Sequence, residues 1–184
     1  HEKTEALRTR DNWFRPVFLA DGPDGAHYVA DMYRKTIEHP EYLSAEVRRF
    51  TDFESGREQG RIWRLAGTAT GSQTWRSFRR ASMASEGTRR LVEALESDIP
   101  WRRDTAFRLL LEQRPADLAA RLQKSLRKAR GGASMVAQLR LLENLGGMNG
   151  QTLMRALEHP EALVRQNAVL LAETRLASDV LRER

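Results

Sequence analysis

The sequence predicts a mixed, mainly α fold, in which a short β segment is followed by an α-helical solenoid. Strand and turn residues dominate between Trp13 and Leu65, whereas leucines and alanines recur every 31 residues in the second half of the chain. The polar run GTATGS at 67–72 separates these two patterns. We therefore expect a β segment at 1–70 and helical repeats at 71–184.

Three short strands are predicted in the β segment, over 13–20, 27–31 and 60–65. The turn after the first strand contains Pro23, which presets φ, and Gly25, which allows positive φ, so the first two strands should form a hairpin. A short helix at 44–50, with Ser44 as its N-cap, is expected before the third strand. Three strands with one face to bury are not stable alone, so this segment needs neighbours.

The helical repeat shows as equal spacing between apolar residues, and its first register contains Leu91, Leu122 and Leu153. The other two registers contain Leu95, Leu126 and Leu157, and Ala106, Ala137 and Ala168. Such a period, with two helical patterns in each unit, indicates helical hairpins that bury their apolar faces against neighbouring hairpins.

Prolines and glycines predict where the helices begin and end. Pro100, Pro115 and Pro160 are expected in the first turn of a helix, where the missing N–H of proline costs nothing. A later start is expected for the second helix of the middle repeat, which opens with Gly131 and Gly132. Three further glycines are expected to end this helix and open the next link; they are Gly146, Gly147 and Gly150.

Composition excludes several kinds of site within this chain. Cysteine is absent, which excludes disulfides, thiol nucleophiles, thiolate metal sites and a CxxCH haem attachment. No apolar run approaches the roughly 20 residues of a membrane span, and none near His1 resembles a signal peptide. The polar start at His1 suggests a cut inside a longer polypeptide.

Positive charge is concentrated in the helical half. Residues 1–70 contain 11 Lys and Arg against 12 Asp and Glu, and residues 71–184 contain 20 against 13, so the net charges are −1 and +7. Five basic residues fall within ten positions: Arg121, Lys124, Arg127, Lys128 and Arg130. With Trp75, Arg76, Arg79 and Arg80 they would suit the phosphates of a nucleic acid, or they are the solvated back of a helix.

The helical half resembles HEAT repeats. Residues 153–168, LMRALEHPEALVRQNA, have the proline, Val-Arg pair and alanine at the spacing of that family, and residues 91–111 repeat the layout with Pro100, Arg103 and Ala106. The resemblance implies an array that binds partners on a concave surface, in which catalysis is unusual.

The β segment resembles the end of the β-propeller in a bacterial family of membrane-bound dehydrogenases. The matching segments, in order, are DNWFRPV at 11–17, GPDG at 22–25, YVADMYR at 28–34, IEHPEY at 37–42 and GRIWRL at 60–65. Those proteins are similar to sugar dehydrogenases that use pyrroloquinoline quinone, and HEAT-like repeats and a c-type cytochrome domain commonly follow their propeller.

This resemblance implies an exported or periplasmic parent protein that passes electrons from a sugar-like or alcohol substrate to the quinone and then to haem c. About one propeller blade is present, so we expect no complete active site and no catalytic residue in this chain. The expected role is a scaffold or docking module whose partners are the remaining blades, the cytochrome domain or another protein. The alternative is a nucleic-acid-binding repeat protein.

Four residues of the β segment are candidate cofactor ligands, and each also has a structural interpretation. Arg15 either binds an anionic cofactor group or forms an ion pair with Asp31. Asp31 and Tyr33 end a strand, where functional groups of propellers lie, although an aspartate there also caps a turn. His39 is either a general base or an exposed loop residue. The neighbouring glutamates lack metal-ligand spacing, so no metal site is predicted.

Overall fold

The chain forms two compact units, His1–Arg76 and Ser77–Arg184. The computed structural model describes residues 5, 7–67, 82–129 and 131–182, with side chains of the last helix described as far as Arg175. We refer to the two as the sheet unit and the helical unit. The predicted boundary between residues 70 and 71 lies outside the described residues.

The sheet unit contains a three-stranded antiparallel sheet with strand order β1-β2-β3. Its strands are β1 (Pro16–Asp21), β2 (His27–Asp31) and β3 (Arg61–Leu65), so the three predicted strands are confirmed. The first begins at Pro16 instead of Trp13 because the chain ahead of it turns, and the Phe14 amide donates to the Asp11 carbonyl at 3.2 Å.

The links between the strands follow the local turn residues. Gly25 has φ of 77° and closes the β1–β2 hairpin, where the Gly22 amide donates to the Ala26 carbonyl at 2.7 Å. Between β2 and β3 lie a short 3₁₀ helix, Pro40–Tyr42, and helix α1, Ala45–Phe50. The Ser44 hydroxyl accepts a hydrogen bond from the Val47 amide at 3.3 Å, so the predicted N-cap is confirmed.

The helical unit begins with a 3₁₀ helix, Met83–Ser85, and continues with six described α-helices. They are α2 (Thr88–Ala94), α3 (Pro100–Gln113), α4 (Leu118–Leu126), α5 (Gly132–Asn144), α6 (Gly150–Leu157) and α7 (Ala162–Arg182). Consecutive helices pack as the pairs α2–α3, α4–α5 and α6–α7, and further contacts join α2 to α4, α3 to α5 and α5 to α7. The fold is therefore mixed and mainly α, as predicted.

The repeated apolar positions lie in the core of the helical unit. Leu91, Leu122, Leu95, Ala106 and Ala168 are all buried, four of them in the first two copies of the repeat. The third-copy leucines, at 153 and 157, are partly buried and pack against this core. Apolar burial of this kind is the main driving force for helix packing.

The proline prediction is right only for Pro100, which is the first residue of α3. Pro115 and Pro160 precede their helices, which begin at Leu118 and Ala162. The Pro115 carbonyl accepts from the Leu118 amide in a turn. This extra turn is needed because Arg114, with φ of 44°, ends α3 in a left-handed conformation.

Gly146 ends α5 as predicted. It has φ of 67°, its amide donates to the Glu143 carbonyl at 2.9 Å, and the Gly147 amide donates to the Leu142 carbonyl at 2.9 Å. This is the Schellman arrangement that suits glycine after a helix. Gly150, by contrast, is the first residue of α6 and not part of the link.

The second helices of the three repeats begin at nearly equal intervals, so the later start predicted for the middle one amounts to no more than one residue. α5 begins at Gly132, which is 32 residues after the start of α3, whereas α7 begins 30 residues after Gly132. The delay relative to the 31-residue period is therefore one residue.

Candidate functional site

A buried carboxylate, Asp31, organises the end of the sheet. Its Oδ1 accepts from the backbone amides of Arg15 at 2.8 Å and Tyr33 at 3.0 Å. Its Oδ2 accepts from Arg61 Nε at 3.0 Å and Trp63 Nε1 at 3.1 Å. The side chain of Asp31 is 0% exposed, so these four donors replace water around it.

The same contacts keep Asp31 ionised. Burial alone raises the pKa of this carboxyl, but hydrogen bonds from the Arg15 amide, Trp63, Arg61 and the Tyr33 amide outweigh burial and lower the pKa to about 2. Both oxygens are occupied by protein donors. The geometry therefore favours the turn-capping interpretation of Asp31 over the cofactor-binding one.

Arg61 links Asp31 to the chain ahead of the sheet. Its guanidinium also pairs with Asp11 at 2.7 Å, and it lies 4.2 Å from the centre of the Tyr33 ring and 4.5 Å from that of the Trp63 ring. The planar guanidinium is therefore stacked between two aromatic rings while it donates to two carboxylates, a geometry that lysine would not reproduce.

Tyr33 adopts a left-handed conformation, with φ of 53°. Gly56, with φ of 88°, packs against the Tyr33 carbonyl so closely that a Cβ there would overlap with it. Tyr33 is thus held by its backbone hydrogen bond to Asp31, by its ring against Arg61 and by this glycine. Its backbone serves to shape the loop after β2.

The guanidinium of Arg15 does not pair with Asp31. It donates to the carbonyls of Phe14 and Lys35, each at 2.8 Å, and only the backbone amide of Arg15 contacts the aspartate. The ion-pair interpretation was wrong because β3 pairs with β2 in a register that places Arg61 directly opposite Asp31. Sequence reasoning missed Arg61, although its place in the third predicted strand was a usable signal.

His39 lies on the surface and apart from the Asp31 contacts. Its side chain is 63% exposed, with Nδ1 3.8 Å from the Glu41 carboxylate and the ring edge-on to Tyr42. These features agree with the interpretation as an exposed loop histidine. Within the described ranges, no group of three or more His, Asp or Glu side chains is arranged to hold a metal ion.

A second buried aspartate lies in the β1–β2 turn and was not foreseen. Asp24 Oδ2 accepts from Arg64 Nε at 2.7 Å and from the Tyr28 hydroxyl at 3.1 Å, while its Oδ1 accepts from the Ala26 amide. Burial raises the pKa of Asp24, but hydrogen bonds from Arg64, the Ala26 amide and Tyr28 outweigh burial and lower it. The sheet unit is thus held at both ends of β2 by an aspartate and an arginine of β3.

One face of the sheet carries an exposed apolar row. Phe18 of β1, Ala30 of β2 and Ile62 of β3 are direct cross-strand neighbours. Phe18 is 67% exposed and Ile62 is 73% exposed. These three side chains form an apolar row that no described element covers.

The described residues of the predicted basic cluster differ in their contacts. Arg121 pairs with Asp117 at 2.6 Å. Lys124, Arg127 and Lys128 are exposed and have no acidic partner in the part of the chain that the structure describes. Arg127 instead shares a cavity with Arg155. The remaining predicted contacts lie outside the described residues; they are Arg130, Trp75, Arg76, Arg79 and Arg80.

Comparison with known proteins identifies one partial match. Residues 1–69 match a family described as a domain of unknown function, DUF7133. The match covers most of the sheet unit and ends next to the predicted boundary at residue 70. No curated protein and no solved structure matches the chain.

No helix in the described part of the chain combines the length and the hydropathy that crossing a bilayer requires.

Proposed function

We propose that this chain is a non-catalytic scaffold, in which the sheet unit completes a larger β assembly and the helical unit docks a partner. The observation that carries the proposal is the exposed row of Phe18, Ala30 and Ile62, together with the saturated contacts of Asp31. The exposed row needs a covering element. The saturated contacts leave the carboxylate of Asp31, the best placed of the candidate carboxylates, without a free acceptor position.

The strand edges support the same function. β1 and β3 each pair with β2, and neither has a second strand partner among the described residues. Open edges and an exposed face are the expected features of a sheet that has been separated from its neighbours. A propeller blade presents both of its faces to adjacent blades, so we propose that the sheet unit is blade-like.

The packing of the helices supports a HEAT-like solenoid. Successive pairs are in contact, and helices at equivalent places in the repeat also touch, as α3 and α5 do. Ala106 and Ala168, which stand 62 residues apart, are both fully buried. Recurrent small residues at helix contacts let the helices approach closely, which a stacked array requires.

The parent protein proposed from the resemblance is an exported or periplasmic dehydrogenase. In that protein, pyrroloquinoline quinone and haem c would be bound by the remaining blades and by a cytochrome domain, which would also be partners of this chain. The support is the order of the five matching segments between residues 11 and 65. No step of that chemistry is assigned to a residue of this chain.

The exposed sheet face is tested by Phe18→Thr combined with Ile62→Thr. Because both side chains are exposed, we expect the free energy of unfolding to change by less than about 0.5 kcal/mol and self-association to decrease. Val29→Thr is the matched control, since Val29 is 0% exposed on the same sheet, and it should cost more than about 1 kcal/mol. A double variant as destabilised as the control would contradict the proposal.

The absence of an active site is tested by absorbance titration with pyrroloquinoline quinone. We expect no tight binding to this chain, and no turnover of sugars or alcohols with an artificial electron acceptor. Tight binding that Asp31→Asn abolished, or turnover by the isolated chain, would contradict the scaffold role.

Nucleic-acid binding is the second candidate function. It is favoured by the net charge of +7 over 71–184 and by the uncommitted Lys124, Arg127 and Lys128. Duplex binding measured at several salt concentrations tests it, because phosphate contacts make affinity fall steeply with added salt. Micromolar binding with a steep salt dependence would favour this function, and no binding at low salt would exclude it.

A further inference from the structure

The helical unit contains a cavity of about 500 Å³ between α4, the start of α5 and α6, which we call the basic cavity. The lining residues used below are Gln123, Leu126, Arg127, Met135, Thr152 and Arg155. It is a concave, partly open site of a size that accommodates a few side chains of a ligand.

Two arginines supply its charge. Arg127 follows the last turn of α4 and Arg155 lies in the last turn of α6, and both are exposed. Neither guanidinium has a hydrogen bond or an ion pair within the described residues, whereas the guanidinium of Arg121, which belongs to α4, pairs with Asp117. The two guanidiniums of the cavity are therefore available to a ligand.

The polar wall between them is held in place by its own hydrogen bonds. Gln123 Nε2 donates to the Gly147 carbonyl at 3.0 Å, and its Oε1 accepts from the Thr152 hydroxyl at 2.8 Å. The Thr152 amide donates to Asn149 Oδ1 at 2.8 Å. Because these bonds link α4 to the start of α6, the cavity is preformed and its wall needs no rearrangement.

The lining combines positive charge with apolar surface and contains no described carboxylate. Leu126 and Met135 provide the apolar part, and both belong to or pack against the core of the helical unit. Arginine binds carboxylates through paired, charge-assisted hydrogen bonds. A ligand with a carboxylate beside an apolar group matches both features.

We propose that the basic cavity binds an acidic peptide segment of a protein partner, with glutamate or aspartate carboxylates on Arg127 and Arg155 and an apolar side chain against Leu126 and Met135. The proposal rests on the docking role proposed above for the helical unit and names the chemistry of its partner. It does not depend on the sheet unit or on the dehydrogenase resemblance.

A peptide fits this cavity better than a nucleic acid does. Single strands are bound by aromatic side chains on which bases stack, and no aromatic residue lines the basic cavity. Duplex binding uses a row of several phosphate contacts, whereas Lys128 lines a different cavity from Arg127, and Glu96 and Asp98 line that cavity too. Two cations in a partly open recess suit one or two carboxylates.

The test is fluorescence anisotropy on the whole chain with a fluorescein-labelled peptide of alternating glutamate and leucine. The test variant is Arg127→Glu with Arg155→Glu. The matched control is Lys124→Glu with Lys128→Glu, which makes the same change in net charge on neighbouring exposed positions outside the basic cavity. All four side chains are exposed, and circular dichroism checks that both variants keep the helical fold.

We expect the peptide to bind the unmodified chain and the test variant to bind it at least about ten-fold more weakly, a loss of about 1.4 kcal/mol, because the substitutions replace two attractive charges by two repulsive ones. The control should weaken binding several-fold less than the test variant does. A peptide of alternating glutamine and leucine should bind much more weakly than the glutamate peptide.

Five outcomes would overturn the proposal. The first is no binding of the glutamate peptide, the second is an equal loss of affinity in the test and control variants, and the third is equal affinity for the glutamine peptide. The fourth is an oligonucleotide that binds more strongly than the glutamate peptide and whose affinity the two variants lower equally. The fifth is peptide binding that survives the test variant, which would end the basic-cavity proposal and leave the docking role. The sheet-face substitutions report on the scaffold function separately.

Discussion

The two units of this chain are stabilised in different ways. The helical unit has a continuous apolar core that includes Leu91, Leu110, Leu122 and Leu142. In the described part of the sheet unit, the buried apolar side chains are those of Ala26 and Val29, and the other buried residues are Gly22, Asp24 and Asp31. One unit buries hydrocarbon and the other buries carboxylates paired with arginine.

This difference supports the proposal that the sheet unit completes a larger β assembly. Each described α-helix of the helical unit contributes side chains to one apolar core, so this unit supplies much of its own stability. Buried ion pairs contribute little net stability, because desolvation opposes their attraction, although removing one partner is costly. The sheet unit therefore has a specific geometry but little apolar burial, while its exposed row at Phe18 and Ile62 offers burial that a covering element would supply.

The largest expected effect is on the helical core. Leu110→Ala removes a 0% exposed side chain and should lower the free energy of unfolding of the helical unit by about 4 kcal/mol. Urea denaturation followed by far-ultraviolet circular dichroism measures it. Leu170→Ala, at a 46% exposed position of α7, is the control, and an equal loss in the two variants would show that the two positions do not differ in burial as described.

A somewhat smaller effect is expected in the sheet unit. Asp31→Asn removes the charge from a buried site with four donors and should destabilise this unit by about 3 kcal/mol. Hydrogen exchange read by mass spectrometry should show faster exchange in β1, β2 and β3 and unchanged exchange in α3 and α5. An equal loss of protection in both units would contradict the separate stabilisation of the two units.

Acidic pH should reproduce part of the destabilisation that Asp31→Asn causes in the sheet unit. The pKa of Asp31 is about 2 in the folded chain against an ordinary value of 3.8, so its contribution is present above about pH 4 and is lost as the pH falls towards 2. Protection of the strands should decrease over this range by less than in Asp31→Asn at neutral pH, because Arg61 keeps Asp31 partly ionised. The acid-induced loss of strand protection that Asp31 causes should be absent in Asp31→Asn. If the same loss persisted in that variant, other groups would be responsible for it.

The smallest expected effects come from one substitution made in each unit. Gly56→Ala places a Cβ against the Tyr33 carbonyl at a positive φ and should cost about 2 kcal/mol. Gly146→Ala also has a positive φ, but nothing lies within 4 Å of its Cβ position, so it should cost only about 1 kcal/mol. Thermal unfolding of both variants tests this order, and equal costs would show that close contact at Gly56 is unimportant.

Local elements followed directly from residues close together in the chain. The limits of β2, the hairpin at Gly25 and the Ser44 cap depend on residues within a few positions of one another, and all three were predicted. The repeat period likewise located buried leucines in the first two copies, since helical periodicity determines which side chains share a face, whereas Leu153 and Leu157 of the third copy are only partly buried. Pro115 and Pro160 were placed wrongly because the turns ahead of their helices depend on how the preceding segment ends.

The contacts that define the candidate sites were not predictable in this way. Arg61 lies 30 residues from Asp31, and Arg64 lies 40 residues from Asp24. In the helical unit, the buried Gln138 donates to Glu96 at 2.6 Å across 42 residues. The chain contains many arginines and carboxylates, and residue type alone does not specify which arginine pairs with which carboxylate.

The sequence by itself determined the elements, the 31-residue period, the absence of thiol chemistry and the excess of positive charge in the helical half. Only the tertiary structure decided that Arg61 and not Arg15 pairs with Asp31, that Arg127 and Arg155 share one cavity, and that one sheet face stays exposed. The physical reason is that backbone propensity and periodicity act over one or two turns, whereas a charge finds its partner through strand register and helix packing.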